Sequence, residues 1–127
     1  LVDQPLRIDP VDCPQLVLCF DDITSSKDDW ILPQKSHVHN ALQFAEELQG
    51  GSLLIHCHAG ISRSSAVALA IITKGLGAGN EKHAFKELEK INPNSTPNAL
   101  VIRLTDEILE RGGALYKVAK SMVRLTG

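Results

Sequence analysis

The stretch LLIHCHAGISRSS, residues 53–65, decides how this chain is read. Leu53, Leu54 and Ile55 run into His56-Cys57-His58, and Gly60, Ser62 and Arg63 follow. The apolar run reads as a buried strand. The segment after Arg63, SSAVALAIITKGLGAG, reads as a small-residue apolar helix closed by glycines. The loop between them carries consecutive backbone N–H groups, with a glycine at its middle that can take φ > 0. In parallel α/β sheets, ligands bind outside the carboxyl ends of the strands. Loop amides and the positive end of the helix dipole then converge on one point, which suits a dianion such as phosphate.

The same field acts on Cys57. A thiol at a helix N-terminus with a cationic neighbour ionises more readily than a free one, so Cys57 is expected as a thiolate nucleophile. Arg63 can hold two phosphate oxygens bidentately, which a lysine cannot. The competing reading is a metal site built from His56, Cys57 and His58 with His37 and His39. Adjacent residues at a strand end point to opposite faces, so the first three cannot converge on one tetrahedral ion. No metal is expected.

Working outward, LVDQPLRIDPVDCP holds three prolines in fourteen residues and reads as irregular. QLVLCF, residues 15–20, is a second short apolar run and reads as a buried strand, and the polar DDITSSKDDW after it as a loop. Val38, Leu42, Ala45 and Leu48 recur at helical spacing until Gly50-Gly51. Strand, helix and strand predict a right-handed βαβ unit with parallel strands. NEKHAFKELEKI reads as a helix capped by Asn80, with Ala84, Leu88 and Ile91 on one face. After the loop NPNSTPN, Asn98 or Thr96 can cap a helix running to about Arg111. Gly112-Gly113 separates a last helix ending near Leu125. The expected fold class is α/β, one domain over residues 1–127 with a small central, mostly parallel sheet flanked by helices.

The net charge of −2, one Trp, one Tyr and three Phe make no case for nucleic acid. No apolar run approaches the roughly 20 residues that span a bilayer, so no membrane partner is expected. The three cysteines, Cys13, Cys19 and Cys57, form no disulfide framework. A lone thiol fits a reducing compartment, and the expected location is cytoplasmic. Cys13 and Cys19 are expected to pack, with a resolving thiol for Cys57 as the lesser alternative. His37 and His39 are expected to be exposed, and Trp30 to anchor the loop that follows residue 20, with a place on the substrate rim as the lesser alternative.

HCHAGISRS, residues 56–64, resembles the His-Cys-x5-Arg-Ser/Thr signature of the cysteine-dependent protein tyrosine phosphatase superfamily. It looks most like the dual-specificity branch, in the style of bacterial members. FDDI, residues 20–23, resembles that family's general-acid loop, and INPNS, residues 91–95, the turn before its penultimate helix. The resemblance implies the cysteine-phosphatase fold. It also implies a protein phosphatase hydrolysing phosphotyrosine through a cysteinyl-phosphate, with phosphoserine and phosphothreonine left open as further substrates. Cys57 matches the nucleophile. Arg63 matches the arginine on the phosphate, and the amides of His58, Ala59, Gly60, Ile61, Ser62 and Arg63 match the phosphate cradle. Ser64 matches the hydroxyl that steadies the thiolate, and His56 the histidine that supports the loop. The resemblance makes Asp22 the first choice for the general acid, because the family usually places its acid two residues after the last inward apolar residue, here Phe20. Asp21 is second, and Asp28 and Asp29 read as solvated charges.

The implied partners are a phosphorylated protein and a phosphate or sulfate ion in the loop, and no cofactor is implied. Family domains carry more sequence before the acid loop than this chain does, so the N-terminal part of the domain is expected to be incomplete. Two alternatives share the same loop. One is a phosphate-binding pseudophosphatase. The other is an arsenate or disulfide reductase pairing Cys57 with Cys19.

Overall fold

The computed structural model describes residues 16, 18–26, 29–47, 55, 62–122, 124 and 125. These residues form five α-helices: α1 Lys35–Glu47, α2 Arg63–Leu76, α3 Glu81–Ile91, α4 Ala99–Ile108 and α5 Ala114–Met122. No strand occurs among the described residues, and the expected α/β architecture with a small, mostly parallel sheet is corrected to a helical one. Cys19 and Asn98 are isolated bridge positions that extend into no ladder there.

The burial predicted for the first apolar run does appear. Leu18 and Phe20 pack with Val38, Ala41 and Leu42 of α1, Ala66, Val67 and Ala70 of α2, and Val101 of α4. What differs is the fate of the backbone. The Phe20 carbonyl accepts from the Arg63 guanidinium at 3.1 Å, and the Asp21 N–H donates to the Ile31 carbonyl at 2.7 Å. A side chain and a loop thus satisfy these two polar groups at the end of the run. Of the second predicted strand, only Ile55 lies among the described residues, partly buried against the same cluster. Leu53 and Leu54 lie outside them.

α2 is the central helix and touches α1, α3 and α4. Its sequence is apolar or small nearly all round, as a helix enclosed by others must be. One side, Ala66, Val67 and Ala70, meets α1, α4 and the segment at 18–20. Another carries Leu69 into a second cluster, formed with Ala84, Phe85 and Leu88 of α3, Ile102 of α4, and Leu115 and Ala119 of α5. Ala66 and Ala70 have little side chain, which lets neighbouring backbones come close. α3 buries Ala84, Phe85 and Leu88, the stripe expected of an amphipathic helix. Ile91, expected on that stripe, is 69% exposed, because the helix ends at this residue.

The helix ends follow local chemistry. The Asn98 Oδ1 accepts from the Val101 N–H at 3.1 Å and caps α4. Asn80 precedes α3 as expected but forms no side-chain cap, and its Nδ2 donates instead to the Leu76 carbonyl at 2.7 Å. α4 stops at Ile108, short of Arg111, and α5 stops at Met122. Between them Gly112 and Gly113 take φ of 61° and 88°, open to glycine at no steric cost. This reversal brings the buried Asp106 carboxylate onto the Gly113 and Tyr116 N–H groups, at 2.7 and 3.0 Å. A residue of α4 thereby caps α5. No helix among the described residues is long and apolar enough to cross a membrane.

Two polar clasps fix the helices, one between helices and one between α1 and the segment at 18–20. Arg111 reaches Glu81, the first residue of α3, at 3.7 Å and donates to the Thr73 carbonyl of α2 at 3.3 Å. Both charged side chains are buried. Replacing Arg111 by Leu strands a buried carboxylate, and the expected loss is roughly 3–5 kcal/mol in urea unfolding. Adding Glu81→Leu should recover much of it, because the stranded charge is then gone.

The second clasp is His37. Its Nδ1 accepts from the Gln34 N–H at 2.9 Å, and its ring lies 4.9 Å from the Phe20 ring. The imidazole is half-buried, not exposed as expected, while His39 is exposed. Burial pushes the His37 pKa below its ordinary value, opposed by a hydrogen bond to the Cys19 backbone. The fold therefore favours the neutral ring. Its contribution is fully present above the unfolded-state value of about 6.5 and is lost as pH falls through the lower folded one. The melting temperature of His37→Gln should consequently vary less than wild type between about pH 7 and 5. Identical slopes would remove His37 as a determinant.

Candidate active site

The N-terminus of α2 carries the described end of the signature. Ser62, Arg63 and Ser64 are buried there. The Ser62 carbonyl is a meeting point. It accepts from the Ala66 N–H at 3.1 Å, the Ser65 hydroxyl at 3.0 Å and the Asn98 N–H at 3.2 Å. The first turn of α2 contains no acidic residue, so the positive end of its dipole is not offset within the helix. Arg63 opens the helix, and its Nη1 donates to the Phe20 carbonyl at 3.1 Å. That bond ties the helix start to the residue before the two aspartates.

Asp21 and Asp22 are adjacent in sequence and have different partners. Asp21 turns back on its own loop. Its Oδ2 accepts from the Ile31 N–H at 2.6 Å, its N–H donates to the Ile31 carbonyl at 2.7 Å, and its carbonyl accepts from the Ile23 N–H at 2.9 Å. These bonds close the base of the loop between residues 21 and 31. Asp22 reaches across to the helices. Its Oδ1 accepts from the Ser62 hydroxyl at 2.7 Å and from Asn98 Nδ2 at 2.8 Å. Asn98 Nδ2 also donates to the Ile23 carbonyl at 3.2 Å. One residue of register thus separates an aspartate bound within the loop from one that faces the start of α2.

A serine at the N-cap position normally turns its hydroxyl to its own helix. Ser62 forms no such cap, and its hydroxyl donates to Asp22 instead. Trp30, expected to anchor the acid loop, is 49% exposed. The structure brings together Asp22, Ser62 and Arg63 of the expected site, and Ser64 follows in the first turn of α2. His56, Cys57, His58, Ala59, Gly60 and Ile61 lie outside the described residues, as do Cys13 and Asp28. Asn98 is the addition. Its sequence signal was that of a helix cap, and nothing local to residue 98 points to an aspartate seventy-six positions away.

No protein-family model matches the chain, and no solved structure matches it. Characterised proteins do. Dual specificity protein phosphatase 12 of Rattus norvegicus is 38% identical over 65 residues, covering 50% of this chain and 19% of that protein. Dual specificity protein phosphatase 15 of Homo sapiens is 38% identical over 68 residues, covering 50% of this chain and 23% of that protein. The chain therefore spans about a fifth of the length of these relatives. Both are mammalian, and the expected bacterial style gains no support from them. Over about half its length, this chain is similar to dual specificity protein phosphatases.

Proposed function

We propose that this chain is a cysteine-dependent phosphoprotein phosphatase of dual-specificity type, acting on phosphotyrosine and also on phosphoserine or phosphothreonine. The observation that carries the reading is the 2.7 Å bond between Ser62 and Asp22. Through it the aspartate expected as general acid meets the residue that precedes Arg63. The six-residue interval from Cys57 to Arg63 and the partial similarity to dual specificity phosphatases support the same reading.

In the proposed reaction the phosphoryl group rests on the amides of His58, Ala59, Gly60, Ile61, Ser62 and Arg63, with the Arg63 guanidinium on its oxygens. These donors stabilise charge as it spreads over the equatorial oxygens. The Cys57 thiolate attacks phosphorus, the S–P bond forms and the P–O ester bond breaks. The leaving oxygen takes the electron pair of that bond and the Asp22 proton. In the second half, water attacks the cysteinyl-phosphate, passes a proton to the Asp22 carboxylate and releases inorganic phosphate. The bond pair returns to sulfur, which the Ser64 hydroxyl steadies, while His56 supports the loop from behind. Arg63 and the amides supply the positive field that a metal supplies in other phosphatases, and no cofactor enters a step. A thiolate nucleophile works in a reducing compartment, which suits the cytoplasm.

The purified chain should hydrolyse p-nitrophenyl phosphate, and Cys57→Ser should abolish that turnover. Asp22→Asn should lower kcat by about 10²-fold and remove the basic limb of the pH profile, whereas Asp21→Asn should keep that limb. A wild-type chain that binds phosphate without turnover would be a binding module. Activity that depends on Cys19 would favour the reductase.

A further inference from the structure

Asn98 caps α4, yet capping does not explain why the residue is asparagine. A cap needs one side-chain acceptor for the Val101 N–H, and Ser, Thr or Asp would supply it equally well. Among these residues only asparagine also carries an NH₂ group with two donors. Asn98 uses both of them, one on Asp22 Oδ1 and one on the Ile23 carbonyl. The side-chain orientation is fixed by this pattern. Reversing the amide would set its oxygen against two acceptors and lose the cap at the same time. The residue is fully buried, at 0% exposure, and its own N–H and carbonyl are bound to the Ser62 carbonyl and the Ile102 N–H.

We infer that Asn98, with Ser62, is a positioning residue that holds the Asp22 carboxyl by Oδ1 and leaves Oδ2 as the oxygen that carries the transferable proton. The inference rests on the reading of Asp22 as the general acid. An oxygen that accepts two hydrogen bonds has its lone pairs engaged, so the proton of the acid form belongs on the other oxygen. Oδ1 accepts from Ser62 and Asn98, and Oδ2 has no donor among the described residues. The two donors arrive from different elements, Ser62 at the start of α2 and Asn98 at the start of α4. They hold one end of the carboxyl and so limit its rotation. A proton donor held in this way costs less entropy to align with a leaving oxygen.

The test separates positioning from folding. Asn98→Ser and Asn98→Asp keep an acceptor for the Val101 N–H and remove the donor to Asp22, and Ser62→Ala removes the other donor. Each variant is assayed on p-nitrophenyl phosphate, whose leaving group needs little protonation, and on phenyl phosphate, whose leaving group needs the acid. Asn98→Ser should lower kcat on phenyl phosphate by about 10- to 10²-fold, with a much smaller fall on p-nitrophenyl phosphate and little change in KM. Asn98→Asp sets a second carboxylate against Asp22 and should move the basic limb to higher pH. Equal losses on both substrates, or none, would overturn the inference.

A second readout needs no turnover. The ¹³C resonance of the Asp22 carboxyl, read at one fixed neutral pH, should shift in Asn98→Ser and in Ser62→Ala, because each removes a hydrogen bond to Oδ1. An unmoved resonance in both variants would overturn the positioning role even if Cys57-dependent turnover is intact. A moved resonance in a chain without turnover would uphold it and sink the phosphatase reading alone.

Discussion

The hydrogen bond from Asn98 to Asp22 is the contact on which the site and much of the helix arrangement depend. It joins a loop near the start of the described chain to the first turn of α4, and Asn98 N–H reaches on to the Ser62 carbonyl at the start of α2. A buried amide left without partners costs about 1–3 kcal/mol, several times what a surface bond adds. The separation of α2 from α4 is therefore held by Asn98 as well as by packing. Moving either helix would strand the Asn98 N–H, whose acceptor is the Ser62 carbonyl, on a residue that is fully buried. A buried polar network of this kind specifies one arrangement because every partial alternative is unfavourable.

The apolar packing around α2 supports the same end. α2 is enclosed by α1, α3 and α4, and its two main faces enter two separate clusters. Its N-terminus is buried together with Ser62, Arg63 and Ser64. That burial is tolerable only because each polar group meets a partner. The Arg63 bond to the Phe20 carbonyl serves both the helix and the segment at 18–20. It fixes the position of Phe20 and hence the register in which Asp21 and Asp22 leave the core. With Phe20 fully buried, the next two side chains diverge, one toward Ile31 and one toward Ser62.

The helices were legible in the sequence because each repeats its apolar positions at helical spacing and ends on a recognisable residue. Val38 and Leu42 mark α1, Ala84 and Leu88 mark α3, and Gly112-Gly113 marks the break before α5. That the described residues would form no strand was not legible, since an apolar run reports burial and says nothing of what satisfies its backbone. Leu18 and Phe20 are buried as a strand's residues would be, but the Phe20 carbonyl is met by an arginine. The choice of Asp22 over Asp21 rested on the resembled family's placement of its acid two residues beyond an inward apolar residue; in the structure Asp21 bonds Ile31 and Asp22 bonds Ser62. The link to Asn98 was hidden because capping alone accounts for an asparagine at that position, and no local pattern reports a contact across 76 positions. His37 was misjudged for a similar reason. Its polar neighbours in sequence suggest exposure, while its ring packs on Phe20.

The way the two charges are held bears on what the site can do. An aspartate beside an arginine commonly pairs with it, and each then cancels the other's field. Here Asp22 takes both of its hydrogen bonds from neutral donors, the Ser62 hydroxyl and the Asn98 amide. Arg63 Nη1 in turn donates to a neutral acceptor, the Phe20 carbonyl. Neutral partners fix direction without spending charge. In the proposed reaction the guanidinium must answer a phosphoryl dianion, and the carboxyl must gain and lose a proton within one turnover. An ion pair between them would oppose both tasks, since it would bind the guanidinium to the wrong anion and penalise protonation of the carboxyl. Holding the Asp22 carboxyl by uncharged neighbours orients it without cancelling its charge, which is what a proton donor beside an anion clamp has to keep.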